Sequence, residues 1–267
     1  MATLSLAVAA QPSNVPPRVM VTVTDVGAPA INAVTVTRTD NSGRVSVVRT
    51  SDGGPLPLLT SGANRVGVVY DYEAPVGVPV TYSTVEQPTV LSAEVTLASD
   101  DVWLIHPGVP ERSMTVQFAA GSFGEESLPA SSGVFWPLGR ETAVVVTDGQ
   151  RKLGGSQFTV ALDTLAEVAA LRALVADAGV LWLNVPPLSG FDIASQYVAI
   201  LDITARRLTD IGSDPYRLYV CPFVPTQAPV GGTQAQWTWA DVIATYATWA
   251  GVTAANKTWA DLQAPTF

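Results

Sequence analysis

One cysteine and one histidine are all that this chain of 267 residues offers of the side chains most used for metal binding and nucleophilic catalysis. With Cys221 alone, no intrachain disulfide can form and no cysteine-based zinc site can be built. Cys221 lies in the apolar run Tyr219-Val-Cys-Pro-Phe223 and reads as a buried small hydrophobe. With His106 alone, a Ser–His–Asp relay has one possible base, and no nucleophile motif accompanies it. His106 sits between Ile105 and Pro107 and reads as a packed loop residue. Gly-x-Ser-x-Gly does not occur, and Gly149, Gly154 and Gly155 fit neither phosphate-binding glycine pattern. Charge is also scarce. There are 14 Lys and Arg against 23 Asp and Glu, a net charge of −9, and no basic cluster. Arg151-Lys152 and Arg206-Arg207 are pairs on a solvated surface, so binding of nucleic acid through its phosphates is not expected. No apolar run reaches the roughly 20 residues that span a bilayer, so no membrane insertion is expected either. The short apolar stretch Leu4–Ala10 lacks a basic leader and meets Gln11-Pro-Ser-Asn14 at once, so it reads as a first strand and not as a signal segment.

Acidic doublets exist at Asp100-Asp101 and Glu125-Glu126. Adjacent residues on a strand face opposite ways, so neither doublet supplies two carboxyls facing across a cleft for glycoside hydrolysis. Both read as solvated loops. Asp40-Asn-Ser-Gly43 has too few acidic ligands for a calcium loop and reads as a hairpin turn. The expectation is a protein that is not an enzyme and holds no cofactor and no metal.

What the chain has in plenty is apolar residues, 48% of the total, with 21 Gly and 20 Pro in no repeating period. Together with many Val and Thr this composition predicts a mainly β protein rich in turns. Residues 1–98 show the alternation of half-buried strands. Val19, Val21 and Val23 alternate with Met20, Thr22 and Thr24, and Val34 and Val36 alternate with Thr35 and Thr37. Further strands are predicted over 44–49, 64–72, 78–86 and 90–97. About seven strands without a cysteine pair predict a fibronectin-type-III-like or immunoglobulin-like sandwich, in which Tyr82 is either a core tyrosine on a late strand or an ordinary half-buried one.

Residues 99–228 change texture and are expected to be α+β, an antiparallel barrel-like sandwich carrying one helix. Strands are predicted over 114–119, 133–137, 141–147 and 155–162, with Asp148–Gly154 as a hairpin loop. A helix is predicted over 164–178. Thr164-Leu-Ala-Glu167 is a capping box, Gly179 stands at the C′ position, and Leu165, Val168, Leu171, Leu174 and Val175 form an apolar stripe. Val180–Leu183, Tyr197–Ile203 and Tyr216–Pro225 complete the strands, and Thr204–Pro215 predicts a projecting hairpin.

Residues 229–267 form a C-terminal tail with three near-copies of one motif. These are Thr238-Trp-Ala-Asp241, Thr248-Trp-Ala-Gly251 and Thr258-Trp-Ala-Asp261. Ten residues advance a helix by about 2.8 turns and would scatter the three indoles around it, whereas an even spacing keeps them on one face of a strand. Short capped turns, each presenting one Trp, fit the Thr-x-x-Asp boxes best. Trp239, Trp249 and Trp259 are therefore the candidate subunit-docking residues; folding back on their own domain, or disorder, are the other readings.

In order along the chain, Asp101-Val-Trp-Leu-Ile-His-Pro-Gly-Val-Pro110, the helix 164–178, Val180–Leu183, Tyr197-Val-Ala-Ile-Leu-Asp-Ile-Thr204, Tyr216-Arg-Leu-Tyr-Val-Cys-Pro-Phe-Val224 and the Trp repeats resemble minor tail proteins of actinobacterial long-tailed phages (siphoviruses). The resemblance covers most of the chain. It implies a virion protein of the tail tip or baseplate, akin to the distal tail protein. Such a subunit forms a ring, usually six-fold, joining the tail tube to the tail hub and host-attachment proteins. Its partners would be copies of itself, the tail tube protein, the hub and other tail-tip proteins. The order here departs from some relatives, because the sandwich precedes the expected ring domain. The resemblance implies no catalytic residue. A receptor- or carbohydrate-binding module on the same particle is the alternative, since exposed aromatics can stack on sugars. A bacterial surface adhesin is a third reading.

Overall fold

In a computed structural model of the chain, the residues described are 4–27, 30–124, 130–139, 141–151, 155–187, 190, 193–209 and 214–231. They are mainly β, with one α-helix, and divide into two compact units. The first takes residues up to 115, then 184–195 and the stretch from 229. The second takes 116–183 and 196–228.

The first unit begins with eleven strands: β1 (Leu4–Gln11), β2 (Arg18–Asp25), β3 (Ala33–Val34), β4 (Val36–Asp40), β5 (Val45–Val47), β6 (Leu56–Pro57), β7 (Leu59–Ser61), β8 (Asn64–Asp71), β9 (Pro79–Thr84), β10 (Val95–Thr96) and β11 (Val102–Ile105). Four of them make one antiparallel sheet in the order β1-β2-β8-β7, and four make another in the order β10-β9-β4-β5. In strand letters these are A-B-E-D and G-F-C-C′, the Greek-key arrangement of immunoglobulin-type sandwiches. The alternation seen in the sequence decides which side of β2 is dry. Val19, Val21 and Val23 are fully buried and pack with Leu4, Val36, Val69, Val80 and Tyr82 in one core drawn from both sheets. At Asp40–Arg44 the chain turns as predicted, with Gly43 at φ +80° and the Asp40 carboxylate accepting from Ser42 and Arg44. The last strand is shorter than the alternation suggests, only Val95–Thr96.

The second unit contains β12 (Met114–Phe118), β13 (Ala130–Phe135), β14 (Val144–Arg151), β15 (Ser156–Leu162), the helix α1 (Leu165–Asp177), β16 (Leu181–Asn184), β17 (Gln196–Ile200), β18 (Thr204–Arg207) and β19 (Arg217–Thr226). β15 pairs with β12 on one side and β19 on the other. β19 also takes β17 and β18, and β17 takes β16, in a closed, barrel-like sheet. The capping box forms. Thr164 Oγ1 accepts from the Glu167 N–H at 3.2 Å, and the Glu167 carboxylate accepts from the Asp163 and Thr164 N–H groups. Those backbone hydrogen bonds, Asp163 first, hold the Glu167 carboxyl below its usual range.

Four local expectations differ from the structure. The helix buries Val168, Leu171 and Leu174, while Leu165, in the first turn, is exposed. Gly179 follows the C-cap Ala178, but the chain leaves in extended geometry, so no left-handed cap is made. Residues 148–151 are not loop: β14 continues through them, opposite Ala130, and a register irregularity between Ala130 and Ser132 absorbs the mismatch. The segment expected to project at 204–215 opens as β18, which is zipped to β19 from Thr204↔Val220 to Arg207↔Arg217.

Candidate docking surface

The titratable groups of the sandwich serve one another. Arg38, on β4, donates from one guanidinium nitrogen to both Asp71 oxygens at 2.8 and 2.7 Å, and both side chains are buried. Asp71 also accepts from the Tyr82 hydroxyl at 3.0 Å and from the Glu73 N–H at 2.9 Å. Burial opposes the Arg38 charge, but the adjacent Asp71 carboxylate outweighs it and drives the guanidinium pKa up. Burial, followed by the Asp71 charge, drives the Tyr82 phenol up. Tyr82 thus stays a neutral donor and Asp71 accepts from Arg38, Tyr82 and the Glu73 N–H together.

Nearby, Arg49 Nε donates to Glu73 at 3.0 Å. The Arg49 guanidinium also donates to the carbonyls of Pro229 and Gly231, where the chain enters its C-terminal tail. Arg18 is buried under the ring of Tyr70, 4.0 Å from its centroid, and donates to Gln11 and to the Tyr72 hydroxyl, each at 2.7 Å.

His106 is neutral in character. Burial, followed by the Arg112 charge, lowers its pKa, and Nδ1 accepts from the Gly108 and Val109 N–H groups at 3.1 and 3.0 Å. That geometry closes a local turn and gives the ring no nucleophile to serve. Cys221 is buried and burial pushes its thiol up to about 12, so little thiolate exists at neutral pH. Among the described residues, no group of three or more His, Cys, Asp or Glu could hold a metal ion, and no helix is long and apolar enough to cross a membrane. Asp100 and Asp101 are exposed, as expected. Glu125 and Glu126 lie outside the described residues.

The surface that stands apart is a two-stranded ribbon. Among the described residues, β13 and β14 pair only with each other, in the register Gly133↔Val146, Val134↔Val145 and Phe135↔Val144. Alternation puts Val134 and Val145 on one face and Phe135, Val144 and Val146 on the other. Both faces are therefore apolar, and both are exposed: Val134 56%, Val145 57%, Phe135 60%, Val146 56%. Trp136, just beyond the end of β13, is 71% exposed. Monomers scatter single apolar residues over their surface, and a contiguous cluster of this kind makes the ribbon the candidate docking surface. A lone hairpin is also marginally stable in water without a layer against it.

The chain on either side of the ribbon is tied to the barrel. Before it, Ser122 Oγ donates to the Ala119 carbonyl at 2.7 Å and accepts from the Thr159 N–H at 3.0 Å, and the Phe123 N–H donates to the Gln157 carbonyl at 2.8 Å. Phe123 adopts φ +60°, an uncommon conformation for a residue with a Cβ, at a cost of roughly 1 kcal/mol. Its ring offsets that cost by packing against Phe118 at 4.9 Å, Phe158 at 5.8 Å and Phe223 at 5.9 Å. After the ribbon, Gly155 lies so close to β19 that a Cβ there would come within 2.8 Å of the Phe223 carbonyl oxygen. These contacts hold the barrel end of each of the ribbon's two connections.

The three residues expected to dock, Trp239, Trp249 and Trp259, lie outside the described residues. The exposed cluster at Val134–Trp136 and Val144–Val146 was not singled out as a site in the sequence. The sequence shows only that Val134-Phe-Trp136, between Gly133 and Pro137, and Val144-Val-Val146 are apolar runs without alternation. Set against known proteins, the chain matches no protein-family model and no curated protein.

Proposed function

We propose that this chain is a structural subunit of a phage tail tip or baseplate, forming a ring that joins the tail tube to the hub and host-attachment proteins. The observation that carries the reading is the ribbon with two exposed apolar faces. A surface of that kind is covered in an assembly, and the centres of subunit interfaces are enriched in aromatic residues and depleted in charge, as this one is. The resemblance in motif order supplies the particle and the station; the ribbon supplies a physical reason for assembly. Rings arise from heterologous contacts that close by rotation, and an arm received by a neighbour is one such contact.

Native mass spectrometry of the full chain tests assembly, and immunogold imaging of tailed particles tests the station. A closed oligomer of defined copy number and gold confined to the tail tip are the expected results. A chain that stays monomeric at high concentration, or particles that lack it, would overturn the proposal.

A further inference from the structure

We infer that the apolar ribbon β13–β14 is the receiving surface for the Trp-repeat segment, residues 232–267, of a second copy of this chain. The inference rests on the assembly reading above and names the two surfaces that meet.

Three observations select this occupant. The first is which part of the ribbon needs cover. Its open strand edges could pair with another ribbon, but edge-to-edge pairing leaves both faces in water, and the faces are where Val134, Phe135, Val144, Val145 and Val146 are exposed. Covering a face takes large side chains laid across it. Beyond Gly231 the sequence carries Trp237, Trp239, Trp249 and Trp259 together with Val242, Ile243 and Tyr246.

The second is charge. From residue 130 to 151 the ribbon and its turn hold Arg140, Arg151, Glu141 and Asp148, which cancel, and residues 232–267 hold only Asp241, Lys257 and Asp261. In a chain of net charge −9, copies repel one another over most of their surface. These are two segments that can meet without that opposition.

The third is reach. The segment starts from a fixed place, because Arg49 holds the Pro229 and Gly231 carbonyls. Ten residues, the spacing between successive Thr-Trp-Ala motifs, span up to about 33 Å when extended. The six residues of β13 run about 20 Å. One motif therefore crosses one face with chain to spare, and the next can reach the opposite face.

The test uses the full chain with the photo-cross-linking residue p-benzoylphenylalanine in place of Phe135, mixed as isotopically heavy and light copies. Irradiation is followed by peptide mass spectrometry. The expected product joins position 135 of one isotope to a peptide from 232–267 of the other. Replacing Trp239, Trp249 and Trp259 together by Ser is expected to reduce that product at least tenfold, while the melting transition of the chain is kept. Cross-links confined to one isotope, cross-links to residues 130–151 of another copy, or a yield unmoved by the triple substitution would each overturn the inference. If the oligomer persists under any of those outcomes, the assembly reading stands and only the contact is wrong. If the full chain is monomeric, both fail.

Discussion

β2 and β14 are built from the same residue and end in opposite places. In β2 valine alternates with Met and Thr, and Val19, Val21 and Val23 are sealed in the sandwich core. In β14 three valines run together, so they fall on both faces of the ribbon, and all three are exposed. A strand whose apolar residues share one face needs a single layer against it, which the opposite sheet of the sandwich supplies. A strand apolar on both faces needs two layers, and among the described residues neither is present. The sandwich thus covers its own apolar face, and the ribbon leaves both of its faces uncovered among the described residues.

That contrast predicts where substitutions will hurt. The largest loss is expected from Asp71→Ala, which strands the Arg38 guanidinium without its carboxylate inside the sandwich. Breaking a buried pair from one side costs about 3–5 kcal/mol, measurable by urea denaturation of the full chain. A loss below about 1 kcal/mol would mean that water reaches Arg38 and that the core is less sealed than it looks. Tyr82→Phe removes only the hydroxyl that donates to Asp71 and should cost about 1–2 kcal/mol in the same assay. Thr164→Ala removes the N-cap of α1 and should cost about 1 kcal/mol, with Thr164→Ser restoring most of it. The smallest effect belongs to the ribbon: Val145→Thr should shift stability by no more than about 0.5 kcal/mol, because an exposed valine has little cover to lose. The same substitution should weaken association, read by sedimentation. A valine that mattered to stability and left association unchanged would erase the distinction between the two regions.

The sandwich was legible because its strands alternate and its turns carry Gly and Asp where the backbone needs them, as at Asp40–Gly43. The capping box at Thr164 was legible because side chain and backbone meet within three residues. The buried network was not, because Arg38, Asp71 and Tyr82 are far apart in sequence and become neighbours only through the Greek key. The ribbon was half legible: strands were expected over 133–137 and 141–147, and the turn signal Asp148-Gly149 falls in the register irregularity between Ser132↔Thr147 and Ala130↔Arg151, inside a longer strand. Exposure itself could not be read, since Val-Val-Val is as suited to a barrel interior as to an arm, and only the pairing partners distinguish the two.

Cys221 has a practical consequence. Its sulfur is buried, donates to the Tyr219 carbonyl at 3.6 Å, and is held in the thiol form. The folded exterior therefore presents no sulfhydryl to maleimides. A cysteine introduced at any exposed position becomes the sole reactive handle, so dyes or spin labels can be attached one per chain without first removing the native residue.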